Sequence, residues 1–215
     1  MRSPFAERET ERLIALMLPD VAFDGWSRHA LSNAARRADV PVGEAVALFP
    51  RGAADLVAAF SRWADLEMLA QLEAMPGEQG SLSQRIALAL QLRFVGLAPW
   101  REAVRRGLSV LALSPNTLLG LRLLYDTVDA VWHGVGDASS DFSFYTKRAS
   151  LAGIHAAAIL YWLEDRSPDG ADTEGFIERR LADLHRLSGM RRRVEGAAGR
   201  LPNPLRVLQP SPSSL

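Results

Sequence analysis

The chain has 215 residues, a formal net charge of zero, 48% apolar residues and no cysteine. This composition excludes an intrinsically disordered chain and thiolate or disulfide chemistry, and it leaves no overall charge to attract nucleic acid. The longest uncharged runs, 107–121 and 149–163, have 15 residues each, fewer than the roughly 20 of a membrane-spanning helix. The stretch MRSPFAERETERL lacks the apolar core of a secretory signal. We therefore expect a soluble protein, cytoplasmic or at most peripheral on a bacterial inner membrane.

The apolar spacing is helical along the whole chain, and no alternating run rich in Val, Ile or Thr predicts a strand. Ser27 is the predicted N-cap of the second helix, whose inner face is rich in alanine. We expect helices over residues 4–18, 27–38, 42–49, 52–74, 81–95, 100–111, 116–133, 139–165 and 172–187. From Ser188 onward the pattern decays into an Arg-rich and then a Pro/Ser-rich tail, which we expect to fray.

Residues 5–60 follow the order helix, loop, helix, tight turn, short helix and long helix, which resembles the N-terminal part of TetR-type regulators. DNA recognition by such a unit requires basic and polar side chains on the short helix. The segment Val42–Phe49 carries only Glu44 as a charge, and residues 1–50 hold six Arg against seven Asp or Glu, a net charge of −1. We therefore expect the TetR-like shape without nucleic acid as a partner. A TetR-type transcriptional regulator that senses an apolar ligand is the alternative function.

The predicted helix over 139–165 has two contrasting faces, because each residue turns the helix by about 100°. One face is small near its middle and suits close packing or a cavity wall; it contains Phe142, Tyr145, Ala149, Ala152, Ala156, Leu160 and Leu163. The other mixes aromatic, charged and apolar groups, as a partner-binding surface does; it contains Asp141, Phe144, Arg148, Leu151, His155, Ala158 and Trp162. From spacing alone, a central bundle helix buried on both sides is the simpler interpretation.

The segment around this helix resembles the C-terminal signature of the coenzyme Q accessory proteins, the COQ9 family. The matching motifs are Trp132-His133, the block GDASSDFSFYTKR over residues 136–148, and the turn Ser167-Pro168-Asp169. The stretches FDGWSRHAL and LALSPNTLLGLRLLYDTVDAVW also fit. The resemblance covers roughly residues 8–187.

The resemblance implies an all-α, TetR-regulator-like fold in three parts. These are an N-terminal helix-turn-helix-like three-helix unit (1–50), an antiparallel helical lipid-binding bundle (51–187) and a basic, then Pro/Ser-rich tail (188–215). It implies a lipid-binding accessory protein of ubiquinone biosynthesis that is not an enzyme. Such a protein binds an isoprenoid quinone precursor or a phospholipid and presents the precursor to the di-iron demethoxyubiquinone hydroxylase. We also expect a homodimer and peripheral membrane contact, and we expect no cofactor.

The resemblance also implies where the partner and the lipid bind. Carried over by position, the partner patch comprises Asp137, Asp141, Phe144, Tyr145 and Arg148; relatives often have tryptophan at position 144. An isoprenoid tail needs an apolar tunnel between helices. The candidate lining residues are Phe94, Leu97, Trp100, Leu111, Leu118, Leu121, Tyr125, Val128, Trp132, Ala152 and Ala156. At helical spacing such residues are core more often than ligand wall, so the tunnel rests on the resemblance.

We find no sequence motif for catalysis or for a metal. Asp129 and His133 lie four residues apart on one helix face, which fits an ion pair or a hydrogen-bonded pair better than a metal site, because no further ligands follow at suitable spacing. Glycine-rich phosphate loops and the Gly-x-Ser-x-Gly elbow are absent from the sequence.

The C-terminus departs from the resemblance. Eukaryotic relatives end in an amphipathic membrane-binding helix, whereas glycines and prolines interrupt such a helix here. Residues 186–206 carry six Arg against one Glu, a net charge of +5. Contact with anionic lipid and a solvated tail are both compatible with this charge.

Overall fold

The computed structural model describes residues 4–75, 80–136 and 143–198, and the regular structure in these ranges is entirely helical. The α-helices are α1 (Pro4–Asp24), α2 (Arg28–Arg37), α3 (Val42–Ala47), α4 (Ala53–Glu73), α5 (Leu82–Leu97), α6 (Arg101–Ala112), α7 (Thr117–Gly134), α8 (Ser143–Glu164) and α9 (Ala171–Ala198). Short 3₁₀ turns at Ala98–Trp100, Ser114–Asn116 and Pro168–Gly170 join the later helices. The all-α fold class predicted from the sequence is confirmed.

Two helix ends differ from the sequence prediction. α1 continues through Pro19 to Asp24, because Leu18 and Val21 on either side of the proline are buried in the core and hold the helix in place. α9 continues to Ala198, so its predicted end near residue 187 is wrong. A glycine inside a helix costs only about 1 kcal/mol relative to alanine, and the glycines in this segment do not end it. The predicted first residues of α8, 139–142, lie outside the described residues.

The first three helices form a unit in which α2 packs against both α1 and α3. The Ser27 hydroxyl accepts a hydrogen bond from the backbone N–H of Ala30 at 3.2 Å, so the predicted N-cap is confirmed. The predicted inner face of α2 is buried; it consists of Ala30, Leu31, Ala34 and Ala35. Small side chains on this face let α2 approach its neighbours closely.

Trp26, in the turn between α1 and α2, fastens this unit to the rest of the molecule. Its indole Nε1 donates a hydrogen bond to the backbone oxygen of Ala103 in α6 at 3.0 Å. Its ring centroid lies 5.0 Å from that of Phe60 in α4. α1 itself packs against α4 and α6, so the N-terminal unit and the bundle share one continuous core.

α4 is the central helix of the bundle and contacts α1, α5, α6 and α7. α8 packs on the far side of α7, and α9 covers α5 and α8. Taken singly, none of the described helices has the length and apolar composition to cross a membrane. The segments Leu82–Ala112 and Ser114–Gly134 reach those limits only as a pair, bent by 97°.

Three of these helices are joined by a buried ion pair. Arg93 of α5 and Asp65 of α4 are 6% and 7% exposed, and Arg93 Nε donates to Asp65 Oδ1 at 2.8 Å. Thr127 of α7 donates its hydroxyl hydrogen to the same carboxylate, with Oγ1 3.0 Å from Oδ1. Burial raises the pKa of Asp65, and the charge and hydrogen bonds of Arg93 and Thr127 oppose that rise. The ion pair and the hydrogen bond from Thr127 together fix the relative positions of α4, α5 and α7.

The turn between α8 and α9 is organised by the buried carboxylate of Asp165. Its Oδ1 accepts hydrogen bonds from the backbone N–H and the hydroxyl of Ser167, at 2.8 Å and 2.6 Å. Its Oδ2 accepts from the backbone N–H of Thr173 at 2.9 Å and from the Thr173 hydroxyl. Burial raises the pKa of Asp165, but these hydrogen bonds outweigh burial and lower it to about 2. The turn is therefore stabilised by the ionised form of Asp165.

We expect Asp165→Asn to destabilise the protein by about 2 kcal/mol at neutral pH, because the variant loses the charge-assisted hydrogen bonds. Since the folded-state pKa is depressed to about 2, this stabilisation is present above pH ~4 and is lost as the pH falls toward ~2. Urea unfolding of both proteins at pH 6 and pH 3 measures the difference. Asp172→Asn, at an exposed position beside the same turn, is the matched control. If the free energies of unfolding of wild type and Asp165→Asn differ by the same amount at pH 6 and pH 3, the ionised form of Asp165 does not stabilise the turn.

Asp65→Asn should destabilise the fold by about 3–5 kcal/mol, because it leaves the guanidinium of Arg93 buried without a counter-charge. Asp126→Asn is the control. The Asp126 side chain is half-exposed, and its ion pair with Arg122 is long, at 3.8 Å, and open to solvent. Its loss should change the free energy of unfolding by less than about 0.5 kcal/mol. Denaturant unfolding at neutral pH distinguishes the two variants. If Asp65→Asn and Asp126→Asn both change the free energy of unfolding by a similarly small amount, the buried charge of Arg93 does not require Asp65.

Candidate functional site

A cavity of about 380 Å³ lies between helices α4, α5, α6, α7 and α8. Its apolar lining residues are Val57, Phe60, Ala64, Leu97, Val104, Gly107, Leu108, Leu111, Ala112, Gly120, Leu121, Leu123, Leu124, Ala156, Ile159 and Leu160. Its polar lining residues are Ser61, Arg93, Thr117, Thr127 and His155. The volume falls near the lower end of the range of about 300–1,000 Å³ for small-molecule sites. The cavity can hold one small ring or part of a longer apolar chain.

The cavity has an exposed mouth and a buried inner end. Leu121 and Leu160 at the mouth are 60% and 64% exposed, and Thr117 beside them is also exposed. Thr127 and His155 at the inner end are each 1% exposed. At 1.5 Å per residue, the ten residues from Thr117 to Thr127 span about 15 Å along α7. α8 runs antiparallel, so its residue 160 lies at the mouth and its residue 155 at the inner end.

The inner end is polar although it is buried. Arg93, besides its pair with Asp65, has Nη2 3.4 Å from the hydroxyl oxygens of both Ser61 and Thr127. The ring of His155 packs against Phe94, with centroids 5.8 Å apart. Burial, and to a lesser degree the charge of Arg93, lowers the pKa of His155 well below its usual value. At neutral pH its imidazole is therefore uncharged.

The predicted lipid-binding residues fall into three groups. Four of them line the cavity: Leu97, Leu111, Leu121 and Ala156. Three are buried core: Phe94, Val128 and Trp132. The other four lie away from the cavity lining: Trp100 and Ala152 are half-buried, and Leu118 and Tyr125 are exposed. The structure thus brings part of the predicted set together, and the other lining residues come from α4 and α6 and from further positions on α5, α7 and α8.

The face of α8 that was expected to form a mixed partner surface points inward from Arg148 onward. Leu151, His155, Ala158 and Trp162 are all at most 2% exposed, because this stripe carries the larger side chains of the helix and packs them into the bundle. The opposite face has small residues; Ala156 lies at the cavity and Leu160 at its mouth. The predicted partner surface therefore does not extend along α8 beyond its first turns.

The predicted partner residues lie at the start of α8 or before it. Asp137 and Asp141 are outside the described residues, and Phe144 and Tyr145 belong to the first turn of the helix. Arg148 is 6% exposed, and its Nε donates to Asp129 Oδ1 of α7 at 2.9 Å. This ion pair also corrects the sequence interpretation that paired Asp129 with His133. Arg148 holds the beginning of α8 against α7.

Sequence reasoning missed the polar residues of the inner end. Arg93 offered one signal, since it is the only charged residue between Ile86 and Trp100, and a lone charge on an apolar helix predicts a buried pair or a site. Its partner Asp65 lies 28 residues away, and no local pattern connects the two. Within the three described ranges, no group of three or more His, Cys, Asp or Glu side chains is placed to hold a metal ion.

Comparison with known proteins gives the chain a family and a fold. The family model described as COQ9 matches residues 118–188. The chain is 31% identical over 195 residues to the mitochondrial ubiquinone biosynthesis protein COQ9-B of Xenopus laevis, covering 87% of this chain and 66% of that one. It is 30% identical over 196 residues to the mitochondrial ubiquinone biosynthesis protein COQ9 of Homo sapiens, covering 88% and 61%. The chain thus spans slightly less than two thirds of the length of these relatives.

A solved structure shows the same fold. The crystal structure of the TetR transcriptional regulator from Nitrosomonas europaea ATCC 19718 matches with a TM-score of 0.64, at 20% identity, over 81% of this chain and 97% of that one. At this identity the likeness concerns the fold alone, and it confirms the predicted TetR-like architecture.

The location expected from the sequence is corrected by the same relatives. They are named as mitochondrial proteins, in frog, human and, as a probable assignment, Dictyostelium discoideum. These names point to mitochondria instead of a bacterial cytoplasm or inner membrane. The relatives are named as ubiquinone biosynthesis proteins. The chain belongs to the COQ9 family of ubiquinone biosynthesis proteins and has a TetR-like, all-α fold.

Proposed function

We propose that this chain is a lipid-binding accessory protein of ubiquinone biosynthesis, which holds an isoprenoid quinone precursor and presents it to the di-iron demethoxyubiquinone hydroxylase. The observation that carries the proposal is the open, largely apolar cavity in a chain of this family. The relatives' names supply the pathway. We further propose that the ligand is an isoprenoid quinone precursor, that the hydroxylase is the partner, and that the chain itself catalyses no reaction.

The chemistry of the cavity suits an isoprenoid tail. Such a tail has no hydrogen-bond donor or acceptor, so its favourable transfer comes from leaving water for an apolar wall. The leucine-rich outer part of the cavity offers that wall. A tail longer than the cavity can extend past Leu121 and Leu160 onto the exposed apolar surface that includes Leu113 and Leu118. The same surface supports the proposed homodimer and peripheral membrane contact, since exposed apolar patches mark such contacts.

The proposed hydroxylase surface begins at the first turn of α8, which contains Phe144 and Tyr145. An aromatic residue there would serve as an anchor, since aromatic side chains dominate many interface energies. Arg148 has a supporting part in this proposal, because its ion pair with Asp129 fixes the start of α8. We therefore assign Arg148 to positioning and not to direct contact with the hydroxylase.

DNA binding is not favoured by any observation on the short helix α3. Its exposed positions include Val42, Gly43, Glu44 and Ala47. These side chains offer phosphates no positive charge, and Glu44 repels them. The TetR-like shape of the N-terminal unit is thus compatible with a protein that does not read DNA.

Ala156→Phe should reduce the isoprenoid lipid that copurifies with the protein by at least about fivefold, because the ring occupies the apolar part of the cavity. Mass spectrometry of organic extracts from purified protein measures the bound lipid. Ala157→Phe is the matched control, since Ala157 is the exposed neighbour on the same helix. Circular dichroism checks that both variants fold. Equal lipid content in the two folded variants would contradict a cavity-bound ligand.

Phe144→Ala should weaken binding of the purified hydroxylase at least about tenfold, as expected for loss of an aromatic anchor, without lowering the melting temperature. Phe23→Ala is the control, because Phe23 is an exposed phenylalanine on α1 and lies outside the proposed surface. Surface plasmon resonance with immobilised hydroxylase measures both affinities. Unchanged affinity for Phe144→Ala would place the hydroxylase elsewhere on the molecule.

A further inference from the structure

The polar inner end of the cavity is not required by an apolar tail. Arg93, Thr127 and His155 lie on three different helices, and each contributes to the lining of this buried end. We propose that the inner end binds the head of the ligand, a neutral ring with carbonyl or hydroxyl oxygens, and that His155 is its hydrogen-bonding partner. This inference deepens the proposed function and rests on it, because it assigns an orientation to the same ligand.

Among the described polar side chains of this wall, His155 has a ring nitrogen, Nδ1, without a hydrogen-bond partner. His155 is 1% exposed. Buried polar atoms in folded proteins are almost always hydrogen-bonded, and leaving one unpaired is costly. A neutral imidazole has one N–H donor and one acceptor nitrogen. It can therefore donate to a carbonyl oxygen of a ring or accept from a ring hydroxyl.

The charges at the inner end favour a neutral head over an anionic one. The positive charge of Arg93 is already paired with Asp65, at 2.8 Å, and the side chain of His155 is uncharged at neutral pH. A buried phosphate or carboxylate would find no unpaired positive charge there and would lose its hydration. Quinone and phenol rings carry polar oxygens without a net charge, so they match this wall.

The proposed orientation places the head near the surface assigned to the hydroxylase. His155 follows Arg148 by seven residues, about 10 Å along α8. Leu160 at the mouth follows Arg148 by twelve residues, about 18 Å along the same helix. A ligand with its ring at His155 and its tail leaving at Leu160 thus has its reactive part at the end closer to the first turns of α8.

The test compares three probes with the same two-isoprene tail: a ubiquinone analogue, the hydrocarbon without a ring, and the prenyl phosphate. Their affinities are measured by tryptophan fluorescence for the wild type, His155→Leu and His155→Gln. We expect the wild type to bind the quinone tightest. His155→Leu should weaken the quinone about tenfold, as for one lost buried hydrogen bond, and leave the hydrocarbon unchanged. His155→Gln, which keeps a donor and an acceptor, should recover most of the quinone affinity.

Equal losses for the quinone and the hydrocarbon in His155→Leu would overturn the inference, as would tightest binding of the prenyl phosphate by the wild type. Binding of no probe by the wild type would instead refute the proposed lipid-binding function. A second readout does not depend on the variants folding. In wild-type protein at pH ~6.5, where an ordinary histidine is about half-protonated, His155 is neutral because burial holds its pKa well below the usual value. The quinone should shift the ring nitrogen NMR signals of this neutral histidine, and the hydrocarbon should not. Equal shifts with both probes would also overturn it.

Discussion

The shape of the cavity depends on the buried ion pair between Arg93 and Asp65. A charge inside an apolar bundle is tolerated only when its partner is held at hydrogen-bonding distance, so α4 and α5 cannot slide past each other without a large cost. Thr127 adds α7 to the same cluster. The three helices are thereby fixed at the point where the cavity begins, and a bundle with an unfilled interior keeps a defined form. Apolar packing alone is less directional and tends to close such a space.

Around this fixed point, large side chains fill the core and small side chains leave space for the cavity. The inward stripe of α8 carries Leu151 and Trp162, which fill the core against α5 and α7, while its alanine-rich stripe leaves room beside the cavity. On the other side, Trp26 ties the N-terminal unit to α6, the helix that supplies Leu108 and Leu111 to the cavity wall. The N-terminal unit thus supports one wall of the cavity. This structural role of a helix-turn-helix-like unit does not involve DNA binding.

Helical periodicity was sufficient to predict the fold class, most helix boundaries and the N-cap at Ser27, because these depend on local spacing and local hydrogen bonds. The end of α1 was missed because the packing of Leu18 and Val21 outweighs the local effect of Pro19. The inward face of α8 could not be chosen from the sequence, since both of its faces are apolar enough for a core. The contact of Arg93 with Asp65 joins residues far apart in the chain, and only the tertiary structure reveals it.

The leucine-lined mouth of the cavity has a practical consequence for anyone who purifies the protein. Protein molecules with and without a bound lipid expose different amounts of apolar surface to water. Ligand binding to the folded state also raises thermal stability by mass action. Under the proposed lipid binding, a preparation is a mixture of loaded and empty protein, and its calorimetric transition should broaden and move with the membrane composition of the expression host. Delipidation and defined reloading become the conditions under which stabilities of variants can be compared.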